Sequence, residues 1–231
     1  MSIMSKWELN LRYPKVCSAY NAYLANLERI EAMYAFMLFG TELIQSLDDV
    51  TRDIVSSLDI RLSDNFSDGV TTIHSGRSML SAVESCEIQN DFALACLLAI
   101  CSSVEDFVGD LFSLCDRPEV PKDVTLRNGI HLTSPTVLKI IAIDRQWTIH
   151  SNIIDTVEIS FLQSLIHVRN AVAHNVGRAN EKMAKGCVGR WKQQIAGTKI
   201  IVEKNDIDEA FHFVLLPMIS LVQGIDAMLS D

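Results

Sequence analysis

The stretch VEISFLQSLIHVRNAVAHN, residues 157–175, decides the fold. Its apolar residues Val157, Phe161, Leu162, Leu165, Ile166, Val168, Val172 and Ala173 recur at helical spacing. At about 100° per residue, His167, Asn170 and His174 fall on one stripe, at i, i+3 and i+7. Arg169 sits about 100° round from Asn170, and its long side chain bends back toward the neighbouring face. Ala171 and Ala173 flank the stripe, and small residues there let another chain or a ligand approach closely. The helix is expected to end near Asn175-Val176-Gly177, because glycine commonly follows the last turn. His174 then lies in that turn, where the helix dipole favours a protonated imidazole.

Working outward, the rest of the chain also reads as helix. Residues 16–62 carry Tyr20, Leu24, Leu27, Ile30, Tyr34, Met37, Leu38, Ile44 and Leu47 at helical spacing, with Gly40 and Asp48-Asp49 as break points. Residues 63–76 are a loop by composition. A short helix over 77–88 leads to a strong one over 89–115. Residues 116–133 form a loop containing Pro118, Pro121 and Gly129. Ser134-Pro135 then has the form of an N-cap followed by proline at the first helical position, starting a helix through Ile143. Residues 147–154 are a loop or a short helix. Thr198–Glu203 is β-branched and follows Gly197, which predicts a strand paired with 188–195. A helix over 206–229, with Pro217 inside it, closes the chain. The expected fold is all-α, mainly a helical bundle, with a small β-hairpin before the C-terminal helix. Residues 1–231 read as one helical domain, in which 1–89 extend a core of 90–231.

Composition bounds the function. The chain has 231 residues, 48% hydrophobic and 21% charged, which is a globular balance. The longest apolar run, Phe92–Cys101, is far shorter than the roughly 18 residues that span a bilayer. Met1–Asn10 lacks the basic start and apolar core of a secretory signal. The expectation is a cytoplasmic protein with no membrane partner. Cys17, Cys86, Cys96, Cys101, Cys115 and Cys187 show no C-x-x-C pair and read as reduced thiols, without a zinc site. The net charge of −9 argues against nucleic acid, but its distribution argues back. Residues 178–204 hold seven bases (Arg178, Lys182, Lys185, Arg190, Lys192, Lys199, Lys204) against Glu181 and Glu203, a local +5 that leaves −14 elsewhere. A basic stripe beside a candidate site is the footprint of a phosphate-backbone ligand; its plain alternative is a solvated charged surface.

Arg169, Asn170 and His174 bring a guanidinium, a carboxamide and an imidazole within six residues. A guanidinium forks onto phosphate oxygens, and an imidazole moves protons near neutral pH. Each has a structural alternative. Arg169 could pair with Glu105 or Asp106. His174 could be a satisfied core residue. Asn170 could bond a partner helix or orient His174. His167 reads as packing, and Glu105 either holds Arg169 or faces solvent. His74, His131, His150 and His212 have no chemical company in sequence. No Gly-rich phosphate loop, nucleophile elbow or two-metal carboxylate cluster is present.

The pattern Arg169, Asn170, three small apolar residues, His174 resembles the Arg-x-x-x-x-His signature of the HEPN family (higher eukaryotes and prokaryotes nucleotide-binding domains). The resemblance covers residues 90–231. It includes the acidic helix with Ser102-Ser103-Val104-Glu105-Asp106-Phe107, and a strand-like stretch and closing helix after the motif. It implies a small helical domain that dimerises with two motifs facing each other. Many such proteins are metal-independent ribonucleases of toxin–antitoxin or phage-defence systems; others are silent binding domains. Here it implies Arg169, Asn170 and His174 as catalytic residues and Glu105 in support. The basic stripe that begins just after His174 makes Arg178, Lys182 and Lys185 the expected substrate-binding residues. RNA, a second copy and an antitoxin or other defence protein are the implied partners, with no cofactor. Some members carry a Tyr two residues after the His; here that position is Val176, which removes the associated control by modification.

Overall fold

The computed structural model describes residues 7, 9–63, 71–85, 87–126, 129–147, 156–175, 177–189, 191 and 194–230. In chain order the elements are α1 (Pro14–Gln45), α2 (Asp49–Ser56), β1 (Asp59–Ser63), β2 (Thr71–Ser75), α3 (Gly76–Glu84) and α4 (Glu87–Leu114), then β3 (Val124–Thr125), β4 (His131–Leu132), α5 (Pro135–Trp147), α6 (Thr156–His174), α7 (Glu181–Gly186) and α8 (Lys204–Ser230). The fold is mainly helical. Among the described residues, its sheets are two antiparallel two-stranded pairs, β1–β2 and β3–β4.

The hairpins do not sit where the sequence reading placed one. Thr198–Glu203 makes no strand; it is joined to the turn after α6 by a single antiparallel bridge, Arg178 to Lys199. Ala179 N–H donates to the Thr198 carbonyl at 2.9 Å, and Ile200 N–H to the Gly177 carbonyl at 2.8 Å. Among the described residues, the segment's bridge partner is therefore the post-motif turn. Conversely, β2 forms inside the stretch read as a loop, where Thr71, Thr72 and Ile73 are adjacent β-branched residues. The reading of 147–154 falls, from 148 onward, outside the described residues, as do Cys86, His150, Val176, Arg190 and Lys192.

Two compact units emerge. One is Ala32–Ala93; the other joins Met1–Glu31 to Leu94–Asp231. One seam lies close to the expected boundary at residue 89. The other runs through α1, and helical periodicity cannot mark it. In the Ala32–Ala93 unit, α1 ends and the Asp48 carboxylate caps α2 by accepting the Thr51 N–H at 2.7 Å. Arg52 and Glu84 pair between α2 and α3 at 3.0 Å.

The larger unit owes its N-terminal portion to particular contacts. The buried Asp226 carboxylate on α8 accepts backbone N–H groups of Arg12 at 2.9 Å and Tyr13 at 2.6 Å, just before α1 begins. A carboxylate at that end complements the helix dipole. Tyr23 stacks on Phe107 with centroids 4.4 Å apart, and its hydroxyl donates to the Val214 carbonyl. α6 packs on α5, α7 and α8. It is buried all round from Ile159 to Ile166, as a central helix is. It emerges at its ends: Val157 is exposed in the first turn, and Ala173 and His174 in the last.

Among the described residues, two helices have the length and composition to cross a membrane: Ile88–Leu114 and Lys204–Ser230, each reaching a mean hydropathy of 1.7. The unbroken run Phe92–Cys101 is shorter than the first of these apolar windows, because a charge or two interrupts a run without removing its apolar character. Buried inside the chain are 50% and 44% of those windows.

Candidate functional site

The buried polar residues of α6 build a cleft. Gln163 is fully buried. Its amide nitrogen donates to the His131 carbonyl at 2.9 Å, and its oxygen accepts the Thr133 N–H at 2.7 Å. That fastens the segment between β4 and α5 to one side of α6. Ser164, also buried, donates to the Ser160 carbonyl at 2.8 Å and accepts the Val188 N–H at 2.9 Å. That fastens the segment after α7 to the other side. Ile166, His167 and Asn170 form the floor between these walls. The cavity is about 1060 Å³. Its lining includes His131, Ser134, Lys182 and Lys185, and no Asp or Glu among the described residues.

One wall approaches the floor so closely that a side chain at Gly186 would displace the His167 ring. A methyl group at Gly186 would lie 2.8 Å from His167 Nε2. Burial, and secondarily the nearby Lys182 charge, push the His167 pKa below its ordinary 6.5, so this imidazole is held neutral. His131 Nδ1 lies 3.1 Å from Thr125 Oγ1 on the neighbouring strand. His131, given no chemical company by the sequence, and His167, read as packing, thus line one cleft with two lysines.

The motif lies at the end of α6. Arg169 donates to Asn170 Oδ1 at 2.7 Å and forms an ion pair with Glu105 of α4. The two charged side chains are 21% and 29% exposed. The long arginine does bend toward the face of Asn170, and of its two candidate acids it takes Glu105. Cys101, one turn earlier on α4, is fully buried; burial pushes its thiol up to about 12, opposed by the Arg169 charge. His174 is the last residue of α6 and is exposed, so it is not a core histidine. Gly177 ends the helix in the left-handed region (φ +68°), its N–H reaching back to the Val172 carbonyl. Of the flanking small residues, Ala173 is exposed, but Ala171 is completely buried within the chain and is closed to a second molecule.

The structure sorts the other expected site residues. Asn170 belongs to both groups, touching Arg169 and lining the cleft. Lys182 and Lys185 are exposed on α7 and line the cleft; Lys185 also meets Glu181 at 3.3 Å. Arg178 does not join them. Its guanidinium donates to the Gly197 carbonyl at 2.9 Å, which holds the turn after the motif helix. No family model, curated protein or solved structure matches the chain.

Proposed function

We propose that the chain is a metal-independent endoribonuclease of HEPN type, acting in the cytoplasm as a toxin or phage-defence effector. The observation that carries this reading is the juxtaposition at the end of α6. An arginine and an asparagine are hydrogen-bonded to each other, an exposed histidine lies five residues on from the arginine, and a cleft adjoins whose described lining residues include two lysines and no acid. That surface suits a polyanion, in a chain whose net charge is −9. An RNA 2′-hydroxyl attacks its own phosphate, the P–O5′ bond breaks, and a 2′,3′-cyclic phosphate and a free 5′-hydroxyl result. His174 takes the proton from the 2′-hydroxyl or gives one to the leaving oxygen. Arg169 stabilises charge on the pentavalent phosphate. Asn170 positions the guanidinium, and Glu105 restrains it. A second copy of the chain supplies the other half of the acid–base pair, so the working form is a homodimer.

The test is the chemistry of the products. Cleavage that persists in EDTA and leaves 2′,3′-cyclic phosphate ends, or their hydrolysis product, is the expected result. Activity abolished by EDTA and restored by magnesium contradicts the 2′-hydroxyl route. One observation favours a second reading, a catalytically silent RNA-sensing or partner-binding domain: Glu105 already holds the Arg169 guanidinium. No cleavage by the wild type, with the fold intact, selects it.

A further inference from the structure

We propose that the apolar face of α1 over residues 32–43 is a docking surface for a basic amphipathic helix of another protein. It goes beyond the ribonuclease reading, because it holds whether or not Arg169 and His174 cleave anything.

Three observations carry it. The first is an unpartnered apolar stripe. Met33, Phe36, Phe39 and Leu43 are between 53% and 78% exposed. At about 100° per residue they fall within a third of the helix circumference. Val50 and Ile54, four residues apart on α2, are exposed as well, and α2 has no buried residue. Eight of the thirteen exposed large apolar side chains among the described residues lie in Ala32–Ala93, about a quarter of the chain. That is a concentration, not the ordinary scatter of single apolar residues over a surface. Phe36, Phe39 and Leu43 stand at i, i+3 and i+7, the spacing by which one helix seats against another. Aromatic side chains and methionine are those that interface cores favour. The second observation is Gly40, which falls inside the stripe. Glycine is a poor residue for a helix interior, and nothing in the chain asks for it: a methyl group there would meet no atom within 4 Å. It leaves a notch between Phe36 and Leu43 where a second backbone can come close. The third is charge, which selects the occupant. Ala32–Ala93 holds ten acids against Arg52, Arg61 and Arg77, a net −7 of the chain's −9. Residues 32–51 contain Glu42, Asp48 and Asp49, all exposed, and no base. α1 also has no basic residue in its last turn, where the helix dipole is negative. A second copy would set −7 against −7, and anionic lipid or RNA would meet the same repulsion. A helix with an apolar face beside lysine or arginine answers both the stripe and its acidic rim.

The experiment is a fluorescence-anisotropy titration of the full chain into a labelled helical peptide of leucine, alanine and lysine, patterned with one apolar and one cationic face. The same peptide with glutamate for lysine is the control. Saturable binding of one lysine peptide per chain, weakened by salt, with the glutamate peptide binding about tenfold weaker or more, is expected. Phe36→Ser with Leu43→Ser should weaken the lysine peptide about tenfold or more, as loss of interface anchors does, with melting unchanged because both side chains are exposed. Glu42→Gln with Asp49→Asn should weaken it severalfold and flatten the salt dependence. Gly40→Leu should raise the melting temperature, as a better helix former, and still weaken the peptide by filling the notch. No saturable binding overturns the proposal, as does equal binding of the two peptides or binding indifferent to these changes. Tighter binding by Gly40→Leu also overturns it, because that describes unspecific apolar adhesion. Two further outcomes name a different occupant and overturn it too. Flotation of the wild type, but not of Phe36→Ser, with phosphatidylcholine vesicles marks a lipid surface. A sedimenting mass halved by Phe36→Ser marks a second copy. RNA cleavage by Phe36→Ser with Leu43→Ser should equal that of the wild type. A wild type that binds the lysine peptide here but cleaves no RNA removes the ribonuclease reading alone, and one that cleaves RNA but fails these titrations removes this surface alone.

Discussion

At the residue scale, the Arg169–Glu105 pair sits between two regimes. Exposed pairs contribute about 0–1 kcal/mol, whereas removing one partner of a buried pair costs roughly 3–5 kcal/mol. With the side chains 21% and 29% exposed, Arg169→Ala should cost about 2 kcal/mol, within a total stability of about 5–15 kcal/mol. At roughly 2–4 °C per kcal/mol for a chain of this size, melting should fall by about 4–8 °C and the fold survive. Glu105→Gln should cost less, because a hydrogen bond to the guanidinium remains possible. A larger collapse on scanning calorimetry would mean that the pair is a core element. His167 supplies a pH signature. Its folded pKa lies below its ordinary 6.5, burial being the main cause, so the folded state favours the neutral ring. The stability this contributes is complete above the unfolded value and is lost as pH falls through the lowered one. The melting difference between wild type and His167→Gln should therefore shift against the wild type between about pH 7.5 and pH 5; a constant difference would mean that His167 does not titrate as its burial requires. The Arg169–Glu105 contact was one of two pairings the sequence offered, because Glu105 and Asp106 are adjacent acids within the apolar stretch that forms α4. The company of His131 was not, because a loop far from α6 in sequence brings it there through Gln163.

At the element scale, hydrophobic spacing located the long helices, but the stretch 16–62 read as helix ends in strand β1, Asp59–Ser63. α6 ends at His174, and the glycine read as its stop, Gly177, takes the left-handed conformation. Spacing failed where a segment's partner is a turn. Thr198–Glu203 has strand composition, yet its neighbour in space is the backbone of Gly177–Ala179, too short to build a ladder. The cleft walls were equally invisible, since they depend on two polar residues that periodicity counts as interruptions. Their importance is measurable. Gln163→Leu keeps the volume but strands the His131 carbonyl and the Thr133 N–H. At about 1–3 kcal/mol for each unsatisfied group, it should lower stability by about 2–6 kcal/mol. Hydrogen exchange should show the 129–134 segment opening first. Unchanged exchange there would mean that the wall is held by other contacts.

For the whole molecule, the division into Ala32–Ala93 and the remainder could not be read from α1, which is continuous across a seam. The ties from Asp226 to the backbone ahead of α1 and from Tyr23 to the Val214 carbonyl show that the chain's beginning belongs with its end. The proposed mechanism requires two chains. Sedimentation at micromolar concentration should give about twice 25.8 kDa, and Ala173→Glu, on the exposed end of α6, should yield monomers. Met33, Phe36, Phe39 and Leu43 are also exposed along one face of α1. A dimer broken by Phe36→Glu but not by Ala173→Glu would contradict pairing through the motif helix. The central claim is that Arg169 and His174 perform chemistry and do not merely hold the fold. Cleavage of RNA and melting temperature, recorded on the same preparations of wild type, Arg169→Ala and His174→Ala, test it most directly. The account predicts cleavage lowered by ~10²–10⁴-fold in both variants, His174→Ala melting like the wild type and Arg169→Ala only a few degrees lower. Cleavage retained in His174→Ala, or lost only in proportion to unfolding, would contradict it.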